Sequence, residues 1–275
     1  MNSNRRPIGV FDSGAGGLTV VRTVRERLPN ERVVYFGDTA YVPYGPRPAE
    51  EIRRFAADAA RFLCSQGAKV IVMGCNMSSA MALETTRAAV PCSVLATVSA
   101  GARMAVAVSL TGRIGVAATE GTVRSRAYER AVKALRPDAE VIQRACPLLV
   151  PAVEAGLQDG QLEEAVAESL GPLREARPDT VILGCTHYPL LQPQIAAYLG
   201  SDIGLVDPAE SLAVETEEVL MREGLLSDQP PAQPVVAFAS GPAGSLTNWA
   251  AKALGIDLGE IRAVDVHRAY RQPGT

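Results

Sequence analysis

Two kinds of hydrophobic pattern alternate along the chain. Short runs of consecutive apolar residues, rich in branched side chains, are separated by longer stretches in which apolar positions recur every three to four residues. The runs predict strands at Pro7 to Phe11, Arg32 to Phe36, Val70 to Met73, Ser93 to Thr97, Arg113 to Ala118, Glu140 to Gln143, Val181 to Leu183 and Val235 to Ala239. The amphipathic stretches predict helices at Leu18 to Leu28, Pro48 to Cys64, Ser78 to Ala89, Ala102 to Val108, Leu148 to Gly156, Gln161 to Glu175, Ala209 to Arg222 and Leu246 to Leu254, with another after Thr122. Continuous apolar runs indicate strands buried on both faces, and strands alternating with helices indicate parallel sheets, so the fold class is α/β.

The pattern restarts once. The opening strand, its polar glycine-containing turn Asp12-Ser13-Gly14-Ala15-Gly16-Gly17 and the helix behind it are echoed by Arg113 to Ala118, Thr119-Glu120-Gly121-Thr122 and a helix. Two α/β domains are therefore expected, residues 98–207 forming one and residues 1–97 plus 208–275 the other. The last residues, His267 to Thr275, are expected to fray.

A length of 275 residues lets each domain bury a real core. With 47% hydrophobic and 21% charged residues, a net charge of −3 and no basic block, the composition disfavours nucleic acid and favours a small-molecule partner. The N-terminus is polar with no apolar region behind it, and no stretch has the length of a membrane helix, so no membrane partner and a cytoplasmic location are expected. Five cysteines without a CxxC pair argue for reduced thiols. Two histidines, His187 and His267, give no zinc-type ligand set, so no metal is expected. Lys69, Lys133 and Lys252 offer no evident Schiff base, so a pyridoxal cofactor is not expected either.

The candidate chemistry lies where two strands stop. Val181-Ile182-Leu183-Gly184 runs into Cys185-Thr186-His187, and Val70-Ile71-Val72-Met73-Gly74 runs into Cys75-Asn76. A lone cysteine after a buried strand is usually packing. Two matching ones, each followed by a hydrogen-bonding residue and a helix, point to one site with two sides, since ligands bind at the carboxyl ends of parallel strands. A following helix is expected to lower each thiol's pKa, with His187 adding to the effect at Cys185.

Two opposed thiols suit racemisation beside a carboxylate, with a base on one face of the carbon and an acid on the other, and no cofactor. Asn76, Thr186 and the helix-start amides are placed to stabilise the developing negative charge. Asp12 and Ser13 end the first strand at the level of Cys75, where Asp12 also reads as a turn or capping residue. The Gly14 to Gly17 turn lacks the dinucleotide and P-loop patterns. From pattern alone Glu154 is a solvated helix residue, and Cys64, Cys92 and Cys146 are buried small hydrophobes.

Taken together, Phe11-Asp12-Ser13-Gly14, Gly37-Asp38-Thr39-Ala40, Val42-Pro43-Tyr44-Gly45, Cys75-Asn76, Ala145-Cys146-Pro147-Leu148 and Gly184-Cys185-Thr186-His187-Tyr188-Pro189 resemble the glutamate racemases of the cofactor-independent aspartate/glutamate racemase superfamily. The resemblance runs from about Pro7 to Leu254. It implies two Rossmann-like or flavodoxin-like domains related by pseudo-twofold symmetry, with the active site in the cleft between them. It implies Cys75 and Cys185 as the acid/base pair, Asp12 assisting the former, His187 and Glu154 the latter. Substrate would be held by Asp12, Ser13, Tyr44, Gly45, Asn76 and its neighbour Met77, Thr119, Thr122, Thr186 and His187. The implied role is supply of D-glutamate for peptidoglycan.

Three positions depart from the family pattern. Met77 replaces a usual threonine, Ser99-Ala100-Gly101 replaces Glu-Pro-Gly, and Tyr41 stands where a basic residue is frequent. Met77 keeps open a racemase acting on a different amino acid. A superfamily decarboxylase needs one thiol only, and a two-lobed solute-binding protein would want an export signal. Oligomeric state is open, a homodimer being one expectation.

Overall fold

The computed structural model describes residues 3–233, 235–253, 255, 258 and 260–270. Four βα units come first: β1 (Ile8–Asp12) and α1 (Leu18–Arg27), β2 (Val33–Gly37) and α2 (Ala49–Ser65), β3 (Val70–Met73) and α3 (Asn76–Ala89), β4 (Ser93–Ala96) and α4 (Thr97–Val108). Then come β5 (Arg113–Ala118), α5 (Glu120–Ser125), α6 (Ala127–Leu135), β6 (Glu140–Ala145), α7 (Leu149–Ala155), α8 (Asp159–Ala176), β7 (Thr180–Gly184) and α9 (Gln192–Leu199). The chain ends with β8 (Gly204–Val206), α10 (Pro208–Arg222), β9 (Val235–Ala239), α11 (Gly244–Ala253), β10 (Ile261–Ala263) and α12 (Val266–Ala269).

The described strands form two parallel sheets, ordered β10-β9-β2-β1-β3-β4 and β6-β5-β7-β8. Strand alternation sends successive residues to opposite faces. Ile8 and Val10 of β1 and Val70 and Val72 of β3 join α1 and α10 in one core, while Phe11, Ile71 and Met73 join α2 on the other face. In the second sheet Val181 and Leu183 of β7 pack with α8 and α9, and Ile182 packs with α4 and α6. Burial on both faces is why these strands read as unbroken apolar runs. Helix α4 contributes Ala100 to the first sheet's core and Val98, Ala102 and Ala105 to the second's, so the segment that departs at Ser99-Ala100-Gly101 is packed between the two sheets.

Several local expectations change. The helix after Thr122 is two helices, α5 and α6, broken at Arg126 with φ 53°. Strands β8 and β10, three residues each, carry too little pattern to be recognised. No α-helix follows Cys185 directly; a 3₁₀ turn at Tyr188–Leu191 intervenes before α9. His267 does not fray: it sits in α12, buried, with nitrogens 3.0 Å from Asp38 and 3.2 Å from Asp58. Residues 271–275 lie outside the described residues. Cys146 is buried, whereas Cys64 and Cys92 are half-buried with thiols 3.4 Å apart; all five cysteines are free.

Candidate active site

Parallel pairing puts the carboxyl ends of neighbouring strands at one edge of each sheet. In the first, β1 and β3 run in register and the Gly74 N–H continues the ladder to the Phe11 carbonyl at 2.9 Å, so Asp12 and Cys75 emerge side by side. Cys75 is buried as the N-cap residue of α3, and its Sγ donates to Ser13 Oγ at 3.7 Å. Asp12 accepts the Gly14 N–H on Oδ1 at 2.9 Å; its Oδ2 is buried without a hydrogen-bond partner. Burial raises the Asp12 carboxyl against the lowering influence of the Gly14 amide and His187. Burial, then the Asp12 charge, pushes the Cys75 thiol up to about 11. A helix start was expected to lower it; the desolvation cost of a buried thiolate outweighs that dipole.

The second sheet places Cys185 after β7 in the corresponding position, with a different neighbour. His187 Nδ1 lies 3.8 Å from Cys185 Sγ, and His187 Nε2 lies 3.3 Å from Glu154 Oε1. Burial works against a charged imidazole here, but hydrogen bonding to Cys185 and Glu154 and the charge of Asp12 outweigh it and hold His187 at about 10. The same hydrogen bond to His187 draws the Glu154 carboxyl down. Glu154 is 55% exposed at its side chain, so it is both a solvated helix residue and the second contact of the imidazole. Trp249 of α11 meets the His187 ring edge-on at 4.7 Å between centroids, a neighbour that nothing local in the sequence announces.

The β1–α1 turn joins the two halves. A Cβ on Gly16 would lie 2.3 Å from Thr186 Oγ1 and 2.7 Å from the His187 ring, so only glycine lets this backbone approach. Thr19 Oγ1 donates to the Thr186 carbonyl at 3.2 Å. Met77 makes a second link between the sheets' loops: its Sδ is 3.8 Å from Thr122 Oγ1, and its Cε lies so close to Gly121 that a Cβ there would clash with it. Thr119 and Thr122 hydroxyls are 3.1 Å apart, and Asn76 Oδ1 accepts the Tyr128 hydroxyl at 2.5 Å. Tyr44 is buried in one cluster with Cys75 and Met77, and the Gly45 carbonyl approaches Gly121. Asp12, Ser13, Tyr44, Asn76 and Met77 thus gather around Cys75, Glu154 and His187 around Cys185, Thr186 lies under the β1–α1 turn, and Thr122, with Thr119 on it, and Gly45 meet Met77 or Gly121 across from α3. The sequence assigned no role to Asp38, present only within the Gly37-Asp38-Thr39-Ala40 motif, which accepts the Tyr44 hydroxyl at 2.5 Å, nor to Trp249 and His267, which come from the far end of the chain. No sequence signal marks these contacts, which join positions up to 229 residues apart.

Among the described residues no group of three or more His, Cys, Asp and Glu side chains is arranged to hold a metal, and no helix is long and apolar enough to cross a membrane.

Residues 16–216 match the family model described as Asp/Glu/Hydantoin racemase. The glutamate racemase of Desulforudis audaxviator is 48% identical over 227 residues, covering 82% of this chain and 83% of its own. A glutamate racemase structure from Bacillus anthracis superposes with a TM-score of 0.91 at 37% identity, covering 95% of this chain and 98% of that one. A second, from Francisella tularensis in complex with D-glutamate, gives 0.88 at 32% identity, covering 96% and 98%. With the family model matched over most of the chain and such identity sustained across it, the chain belongs to the glutamate racemase family of Asp/Glu/hydantoin racemases.

Proposed function

We propose that the protein is an amino-acid racemase that interconverts L- and D-glutamate with Cys75 and Cys185 as its two proton-transfer groups, and that it supplies D-glutamate for peptidoglycan in the cytoplasm. The observation that carries this reading is the pair of thiols at corresponding strand ends of two sheets, with a single turn, Asp12 to Gly17, packed against both clusters. Residues 1–97 with 208–275, and residues 98–207, act as the two lobes that enclose substrate.

In one direction a Cys75 thiolate takes the α-proton, leaving the electron pair on the carbon and its carboxylate, and the Cys185 thiol delivers a proton to the opposite face. The protonation states of the two thiols are then exchanged, and the reverse reaction restores them. Asp12, whose charge favours the thiol form of Cys75, helps Cys75 hold the proton it has taken from substrate. His187, positioned by Glu154, supplies positive charge beside Cys185. Asn76, whose carbonyl is occupied by Tyr128, has its amide N–H groups left to bind the substrate carboxylate as it gains charge, together with Ser13 and Thr186. Tyr44, Gly45, Thr119 and Thr122 line the remainder.

A second reading rests on Met77. Its thioether fills the space against Gly121 and Thr122 where a hydroxyl would hydrogen-bond substrate, which favours a ligand with a less polar end. Incubating the protein with L-glutamate in heavy water tests both. Loss of optical rotation with one deuterium gained at Cα supports the first reading; exchange into another amino acid but not glutamate supports the second, and no exchange into any removes both.

A further inference from the structure

We infer that His267, carried by α12 near the end of the described chain, is a positioning residue that holds the Asp38 to Gly45 loop so that Tyr44 is fixed against Cys75. Asp38 and Asp58 are both buried, on the loop after β2 and on α2, and would repel one another without a donor between them. The His267 ring stands there, with Nε2 3.0 Å from Asp38 Oδ2 and Nδ1 3.2 Å from Asp58 Oδ2. The same Asp38 Oδ2 accepts the Tyr44 hydroxyl at 2.5 Å, and Asp38 Oδ1 accepts Ser240 Oγ at 2.6 Å. Ser240 Oγ in turn accepts the Ala40 N–H at 3.0 Å. Asp58 is anchored on its other oxygen by Arg61 at 3.1 Å.

The ring is packed as well as bonded. It meets Tyr41 edge-on at 4.9 Å and Phe55 at 4.5 Å, and Tyr44 packs on Phe55 at 5.8 Å. Tyr44, Phe55, Cys75 and Met77 belong to one apolar cluster. A continuous path therefore runs from α12 through Asp38 and Tyr44 to the first thiol. Rigid support of this kind sets how well a site is organised before substrate arrives. His267 itself touches neither thiol. The inference rests on the reading that Tyr44 and Gly45 face substrate, and it predicts that their placement depends on a helix more than two hundred residues later.

The test compares His267→Ala, His267→Gln, Tyr44→Phe and the double variant His267→Ala/Tyr44→Phe in glutamate racemisation, with amide hydrogen exchange measured at residues 38–45 and at residues 181–191. His267→Ala is expected to raise KM by roughly tenfold or more with kcat changed less than about threefold, and His267→Gln, which keeps one donor, to restore part of that. Tyr44→Phe should raise KM by a similar factor, and the double variant no more than the larger single one, because both act through one path. Exchange at 38–45 should quicken at least about tenfold in His267→Ala while 181–191 stays as in the wild type. Multiplying KM effects in the double variant, or unchanged exchange at 38–45, would overturn the inference. If His267→Ala does not fold, His267→Gln carries the comparison. If the wild type does not act on glutamate, the reading of function fails, while exchange at 38–45 still decides whether His267 holds the loop.

Discussion

The two thiol sites are built on the same plan and surrounded by opposite chemistry. Cys75 and Cys185 both follow a buried central strand and a glycine. Cys75 then caps a helix of fourteen residues and sits beside the Asp12 carboxylate, and it is pushed up to about 11 by burial and that charge. Cys185 precedes a 3₁₀ turn and sits beside His187, an imidazole held at about 10 despite its burial by Cys185, Glu154 and Asp12. A symmetric reaction is thus served by an asymmetric pair: a carboxylate that raises the thiol stands beside Cys75, and an imidazole raised to about 10 stands beside Cys185. The symmetry of the reaction limits where asymmetry can be seen. Enantiomers are equal in free energy, so kcat/KM for L and D substrate must fall together in any variant, and differences between directions are confined to kcat and KM changing in proportion, to their pH limbs and to isotope effects.

The largest expected effect breaks both halves equally. Cys75→Ala and Cys185→Ala should each lower racemisation by about 10² to 10⁴ fold, the range a positioned acid or base supplies. Polarimetry with mass spectrometry of deuterium at Cα measures it, and a variant keeping more than about a tenth of the activity would remove its cysteine from the mechanism. Next in size is the turn that joins the halves. Gly16→Ala would drive a methyl into Thr186 Oγ1 and the His187 ring, and displacement of the order of 1 Å should cost about 100-fold in kcat/KM while leaving the sheets folded by circular dichroism.

Removing the charge at Asp12 sharpens the contrast between the halves. Asp12→Asn deletes the second largest influence raising Cys75, so the thiol should titrate at lower pH than about 11, which ultraviolet thiolate absorbance in a Cys185→Ala background would follow. It should stay above the ordinary cysteine range, because burial, the largest influence, is untouched. An unchanged titration would deny Asp12 its part.

The Cys185 side should respond to alkali in its own way. His187 is raised in the folded state above its ordinary value, so the contacts of its protonated ring stabilise the protein fully below about pH 6.5, and that stabilisation is lost as pH rises through about 10. Glu154→Gln removes one raising contact and should move the alkaline limb of kcat downward, with less than about a tenfold loss at neutral pH, since the side chain is more than half exposed and screened. A limb that stays in place would detach Glu154 from His187. Met77→Thr should have the smallest catalytic effect on proton transfer, shifting KM between glutamate and less polar amino acids while costing about 2 kcal/mol of stability for a buried thioether removed from against Gly121 and Thr122.

Much of the site was legible because its two cysteines are local events. An unbroken apolar run, a glycine and a cysteine describe a strand end wherever they occur, and β3 and β7 are buried along their whole length as that pattern requires. Glu154 was not legible in this sense. Its helix pattern says exposed, and it is exposed; that it also reaches His187 depends on how α7 lies beside the 3₁₀ turn.

Eight of the ten described strands, most of the helices between them and the two Gly-Cys strand ends were legible in the sequence by itself, because periodicity records which face of an element meets water; β8, β10 and α12 were too short to show it. The tertiary structure alone decided what faces each thiol. It laid Gly16 over Thr186 and His187, brought Trp249 onto the imidazole, and folded His267 back between Asp38 and Asp58. Those contacts join residues up to 229 positions apart. Pattern along a chain carries no information about such pairings; the closing of parallel sheets, which sets β9 beside β2 and carries α11 and α12 to the site, does.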